Sequence, residues 1–266
     1  MKRTLPAVRV EGVAFWSPRL PSWDIARAVI RGEMPAPEAT IVRPVPALLA
    51  PTERRRAPDT VAVALEVATK ACEAAGCSPA DLPSIFASTH GDLAISDYMC
   101  ATLVSTPALI SPIKFHNSVH NAAAGYWSIG TRSQAPYTAI TAYQHTFGIG
   151  LLESVIQVAC EDKPVLYVAF DIEAKGALAT ITPSRGVLGV ALVLAPQSTG
   201  KGLQLALQVA AGDAIAATPA NSPATEYIAA NALAPCLPFF EFLARQDQAA
   251  IELALGRRML LRVRLA

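Results

Sequence analysis

The sequence predicts an α/β protein, a mainly parallel mixed sheet with helices on both faces, in one domain spanning all 266 residues. Three observations carry this. Short runs rich in Val, Ile, Leu and Ala alternate with longer segments whose apolar residues recur every three to four positions, the order of β–α–β units. Those runs are apolar at successive positions, as expected of strands covered on both faces. The chain is also 52% AVILMFWYC and only 16% charged, enough to fill a large core. The surplus points in addition to surface buried against a partner.

Val8 to Trp16 reads as the first strand. Ser22 caps a short helix through Ile30, because a serine oxygen there accepts an otherwise unpaired N–H of the first turn, and Gly32 follows its end. Pro35, Pro37, Pro44, Pro46 and Pro51 exclude a regular element from 34–52. Helical spacing of Val61, Leu65, Ala68 and Cys72 starts at Asp59 or Thr60 and stops at Gly76. Ser84 to Thr89 is a brief strand, and Asp92 caps a helix to about Leu103. Residues 107–115, with Pro107 and Pro112, form an irregular connection. Asn117 to Ile129 reads as a helix whose small face, Ala122 to Gly125, permits close packing.

A strand over 137–142, a helix from about Thr146 to Cys160 and a strand over 164–171 follow. Strands over 188–194 and 203–210 lack a helix-length connection and are expected to pair as an antiparallel hairpin. The core spans 54–196, and the Ala/Pro/Asn/Thr-rich stretch 211–235 is expected to be the most mobile. A helix over 238–255 and a strand over 259–265 close the chain.

A formal net charge of +1 gives no basis for binding nucleic acid through its phosphates. No run of about 18 apolar residues free of charge and proline occurs, so no membrane span is expected. The first ten residues lack the apolar stretch of a signal peptide. Cys72, Cys77, Cys100, Cys160 and Cys236 are odd in number and set in apolar or helical surroundings, which reads as reduced thiols of a cytoplasmic protein.

His116 and His120 have the spacing of one helix face, yet they make only half of a zinc site. With no third ligand and no cysteine pair at ligand spacing, no metal is expected. No cofactor is expected either, since neither a Walker A loop nor G-x-G-x-x-G occurs. Gly148 and Gly150 fall inside a helix, where small residues serve close contact with a neighbouring helix. His90, in STHGD, stands where a strand end meets a helix cap, the edge at which open α/β sheets bind ligands, although capping or packing is the plainer role. Arg54, Arg55 and Arg56 precede a helix N-terminus and read either as a solvated loop or as a docking patch for an acidic partner.

In TAYQHTFGIG a β-branched strand turns into a helix at Tyr143, Gln144 and His145. Enzymes mount nucleophiles at such turns, because the helix start offers unpaired N–H groups and a positive dipole end. The run from RRRAPDTVAVALEVATKACEAAG through SIFASTHGD, SPIKFHNSVHNAAAGYWSI and APYTAITAYQHTFGIGLLESVIQVA to PVLYVAFD resembles the N-terminal half of β-ketoacyl synthases. The likeness covers Arg54 to Asp171 and, more loosely, extends to Pro196. It is similar above all to the half-length chain length factors found beside aryl-polyene and related pigment pathways.

The resemblance implies a thiolase-like half, with a five-stranded type of mixed sheet and a short C-terminal helix–strand. In condensing members a strand ends in Ala-Cys, with the cysteine on the helix N-terminus. Here Ala142 and Tyr143 take those places, or Gln144 takes the cysteine's after a one-residue slip. Neither is an acyl acceptor, since an unperturbed phenol of pKa about 10 is about 0.1% ionised at pH 7. The family's two further catalytic residues, usually histidines, come from a second half, and no histidine follows His145 here.

A non-catalytic subunit is therefore implied, one that forms a heterodimer with a full-length β-ketoacyl synthase in polyene or fatty-acid-type biosynthesis. Its dimer face would hold Asn117, Asn121, Tyr137, Thr138, Ile140 and Thr141, and its chamber wall Tyr143, Gln144, His145 and Phe147. Arg54 to Arg56 would dock an acyl carrier protein transiently. The alternative is a small acyltransferase or malonyl decarboxylase, with Gln144 in place of the cysteine and His145 or His90 as base.

Overall fold

The structure, a computed structural model, describes residues 2–38, 43–247 and 249–266, so residues 39–42 of the proline-rich loop lie outside it. The chain opens with β1 (Lys2–Thr4), β2 (Val8–Trp16) and α1 (Trp23–Ile30), the last capped by the Ser22 hydroxyl, which accepts the Ile25 N–H. α2 (Pro51–Arg56) and α3 (Asp59–Ala75) lead to β3 (Ser84–Ala87). α4 (Leu93–Ser105), α5 (Pro112–His116) and α6 (Ala122–Thr131) then cross to β4 (Tyr137–Ile140). α7 (Thr146–Glu161), β5 (Val165–Asp171), β6 (Leu188–Pro196) and β7 (Leu203–Ala211) follow. α8 (Thr225–Ile228), α9 (Leu237–Arg245), β8 (Ile251–Gly256) and β9 (Met259–Leu265) end the chain.

Among the described residues nine strands form one mixed sheet in the order β4-β3-β5-β6-β2-β7-β9-β8, with β1 also paired to β7. Helices cover both faces, as expected, but the sheet is larger than five strands and only β3 with β4 and β3 with β5 run parallel. Parallel neighbours need a crossover of helical length. The chain supplies one only through α4–α6 and through α7, whereas β5 returns antiparallel as β6 after a segment with a single 3-10 turn.

β5 shows why both faces are buried. Val165, Tyr167 and Ala169 point into a core shared with α7, α9 and α1, while Leu166, Val168 and Phe170 point into one shared with α3 and α6. The small residues of α7 serve close contact, but with strands rather than a helix. A side-chain carbon on Gly150 would fall 2.6 Å from the Tyr167 ring, and one on Gly148 would fall 2.8 Å from the Ala254 carbonyl on β8.

The structure corrects five other expectations. β6 and β7 are not a hairpin: both pair antiparallel with β2, which lies between them. Arg9 on β2 clamps their connection by donating to the carbonyls of Gln197 and Gly202, each at 3.1 Å. The helix expected over 238–255 ends at Arg245, because Gln246 turns left-handed (φ 54), and alternation of buried Ile251, Leu253 and Leu255 makes a strand. The helix expected from Asn117 starts at Ala122, and 107–115 contains a 3-10 turn and most of α5. Arg54 to Arg56 lie in the last turn of α2, where the dipole favours positive charge, not in a loop.

Residues 211–235 are anchored at several points. Glu241 accepts the N–H groups of Asn221 and Ser222, and the Asn231 amide donates to the carbonyls of Asp171 and Arg185. Among the described residues no helix is long and apolar enough to cross a membrane.

Candidate functional site

The corner after β4 is a one-turn 3-10 segment, Tyr143–His145, feeding α7. Thr146 ties it together: its hydroxyl accepts the Ala142 N–H at 2.9 Å and donates to the Tyr143 carbonyl at 2.7 Å. Tyr143 sits in the left-handed region at φ 51, a conformation costing a bulky residue about 1–2 kcal/mol, and is 56% exposed. Its ring meets His90 edge to face, with centroids 5.9 Å apart.

Tyr143 and Gln144 line a cleft of about 410 Å³ with Thr89, His90, Thr182 and Asn231. Gln144 also lines a smaller pocket of about 220 Å³ bounded by Gly148, Thr218 and Glu252. His145 is half-buried beside them, its Nδ1 without a hydrogen-bond partner. Phe147 does not belong to this wall. It is 3% exposed and packs against Tyr167, Phe239 and Phe240, because the first turn of α7 points that side chain into the core.

A buried carboxylate underlies the cleft. Asp171, at the end of β5, accepts from the Ser88 hydroxyl at 2.9 Å, from the Thr89 N–H at 3.0 Å and from the His90 N–H at 3.4 Å. Burial pushes its pKa up, against the lowering effect of the bonds from Thr89 and Ser88. Asp92 plays its expected part as N-cap of α4, accepting the Ile95 N–H at 2.8 Å and the Thr60 hydroxyl at 2.9 Å, and burial raises its pKa too. Sequence reasoning missed Asp171 and Thr89 as site residues. The available signal was an acid closing a wholly apolar strand, with Ser-Thr-His ending the strand beside it.

Chemically, the corner presents a phenol and an amide on a backbone elbow, with no thiol or activated hydroxyl. His116 and His120 do not share a helix face. His116 ends α5 against Tyr126, whereas His120 follows that helix with its Nε2 2.9 Å from the Ser88 carbonyl oxygen. Among the described residues no three His, Cys, Asp or Glu side chains gather as a metal site.

The residues expected at a dimer face divide. β4 is the edge strand, and Tyr137 and Thr141 are exposed while Thr138 and Ile140 are half-buried. Asn121 is exposed and donates to the Tyr137 hydroxyl at 3.5 Å. Asn117 is 2% exposed and so forms part of no free surface; it lies where the chain leaves α5 and folds inward. Beside β4 lies an apolar groove, which Tyr137 helps to line. Apolar residues surround α4 on all sides, yet only Leu93 and Ile95 of that helix are buried. Val104 (89% exposed), Leu109, Phe115 and Ile129 (75%) stand in the open. Ile129 lines a groove of about 590 Å³ with Leu49, Ile113, Val119 and Tyr126 in its walls and Arg56 among its lining residues. Arg54 spends its guanidinium on the Leu49 carbonyl, at 2.8 Å, leaving Arg55 and Arg56 exposed.

The family described as "Beta-ketoacyl synthase, N-terminal domain" matches residues 27–258. No curated protein sequence matches the chain significantly. Among solved structures it is similar to "Ketosynthase (ApeO) in Complex with its Chain Length Factor (ApeC) from Xenorhabdus doucetiae", with 18% identity, TM-score 0.70, and coverage of 97% of this chain and 99% of that one. It is also similar to "The ishigamide ketosynthase/chain length factor" (12%, 0.68, 97% and 99%). A third likeness is to AntDE:AntF, a type II PKS acyl-carrier protein in complex with its ketosynthase (10%, 0.72, 98% and 100%). At these identities the structures establish the thiolase-like ketosynthase fold, and the family match takes in the strands and helices that build the corner and the edge. The chain belongs to the β-ketoacyl synthase N-terminal domain family.

Proposed function

We propose that this chain is a non-catalytic, chain length factor-type subunit that pairs with a full-length β-ketoacyl synthase in polyene or fatty-acid-type biosynthesis. The observation that carries the reading is β4, an edge strand whose Tyr137 lines an apolar groove together with Ile113, Val119 and Ile129. The corner supports it, because a nucleophile mount occupied by Tyr143 and Gln144 offers shape and no acyl acceptor. So do the solved neighbours, two of which are described as a ketosynthase with its chain length factor.

In the complex, Tyr137, Thr138, Ile140 and Thr141 face the partner, and Tyr143 and Gln144 form a wall of the chamber that receives the growing chain. Arg55 and Arg56 touch an acyl carrier protein transiently. Five free cysteines among the described residues fit work in the cytoplasm.

Co-expression with a full-length synthase encoded beside it tests the reading. A 1:1 complex burying more than about 1,200 Å² is expected, and poor solubility or weak self-association when the chain is made alone. A well-behaved monomer that ignores every such synthase would overturn it. So would release of acetyl product from malonyl-acyl carrier protein by the chain alone, if that activity were lost in His145→Ala.

A further inference from the structure

We propose that Cys72 and Cys77 are an oxidative modification site, in which peroxide attacks Cys77 and Cys72 resolves it to an intrachain disulfide. The end of α3 builds the site. Gly76 caps that helix in the left-handed region, φ 67, and turns the chain back over its last turn. The Cys77 N–H then reaches the Cys72 carbonyl at 3.2 Å, and the Cys77 sulfur lies 3.7 Å from the same oxygen. Caps of this form bring the side chains of these two positions together. Here both positions hold free thiols.

The thiols are unequal. Cys72 is buried in the core beneath α3, while Cys77 is half-buried and open to small solutes. The neighbouring Cys72 thiol lowers the Cys77 pKa below the ordinary thiol value, against the opposing effect of burial. The same neighbour, together with burial, raises the Cys72 pKa. A partly exposed thiol beside a buried second thiol has the layout of a redox-sensitive pair.

Hydrogen peroxide is the co-reactant. The Cys77 thiolate attacks one peroxide oxygen, the O–O bond breaks, and a sulfenic acid and hydroxide form. The Cys72 sulfur then attacks the Cys77 sulfur and the S–O bond breaks. The oxygen leaves as water, taking up the Cys72 proton, and the disulfide remains. Two thiols have given two electrons to one peroxide, which ends as two waters. The product staples the last turn of α3 to the loop that enters β3. The inference does not depend on the proposed function of the chain.

Glu73 lies between the two cysteines, so cleavage after it separates them. After peroxide treatment of the folded full chain, the fragments on either side of Glu73 should stay joined until a reductant is added, about 2 Da lighter than their reduced sum. In Cys72→Ala the reaction should stop at a Cys77 sulfenic acid that dimedone captures, and in Cys77→Ala, Cys72 should stay reduced. The proposal fails if Cys77 remains reduced under peroxide that oxidises the exposed Cys100 and Cys160. It also fails if Cys77 is oxidised to the sulfinic acid while Cys72 is still a thiol. The wild-type result decides even if either variant folds poorly.

Discussion

Asp171 receives the Thr89 N–H on both carboxylate oxygens, at 3.0 and 3.1 Å. One side chain thus ties the end of β5 to the loop after its parallel neighbour β3 and seats His90 against Tyr143. Asp171→Ala leaves the Ser88 hydroxyl and the Thr89 and His90 N–H groups without their acceptor. A loss of about 2–4 kcal/mol is expected in urea unfolding, since buried donors keep their desolvation cost. A loss below about 1 kcal/mol would mean that the loop holds itself.

The same residue gives a pH dependence of defined sign. Burial raises the folded pKa of Asp171, so the folded chain holds its proton more tightly than the unfolded chain. Its contribution is fully present below the ordinary carboxylate value and is lost as pH rises through the raised one. Thermal unfolding of wild type and Asp171→Asn should show the difference moving in favour of the variant as pH rises from about 4. A flat difference would contradict this.

How much of this was legible depends on how local each cause is. Ser22, Gly76 and Asp92 act on their own helix ends, so the sequence shows them directly. The fate of 249–255 does not reside in those residues. Apolar spacing there fits a helix as well as a strand, and the decision comes from β9 on one side and Thr218 on the other. Likewise nothing local says that β2 enters between β6 and β7. At the site, the missing nucleophile is readable from Tyr143 and Gln144. Asp171 is not, because its partners lie 81 to 83 positions away along the chain.

Gly150→Ala should cost about 1–3 kcal/mol, because the new methyl meets the Tyr167 ring at 2.6 Å in a packed core. Tyr167 has little room to yield, since it is buried and its hydroxyl donates to the Phe147 carbonyl at 2.8 Å. Chemical denaturation of the chain or its complex measures the effect. A neutral result would show that α7 can lift from the sheet.

Val119→Glu and Ile129→Glu place charge on exposed apolar positions of the groove, so neither should lower the stability of the chain by more than about 0.5 kcal/mol. Both should reduce capture by the partner synthase at least about tenfold, roughly 1.4 kcal/mol. Full capture by both variants would exclude this face.

Reversing Arg55 and Arg56 to glutamate should weaken association with an acyl carrier protein and flatten its salt dependence, because both guanidinium groups are exposed and Arg54 is spent within the chain. Unchanged binding across the salt range would assign both to solvent.

The two ends of the sheet are not alike. At β8 the outer edge is occupied: Glu252 donates its N–H to the Thr218 hydroxyl and accepts the Thr218 N–H, each at 2.8 Å. At β4 no strand stands beyond the edge among the described residues. Addition of a strand at β4 therefore meets unpaired backbone, whereas addition at β8 must first displace Thr218 from Glu252.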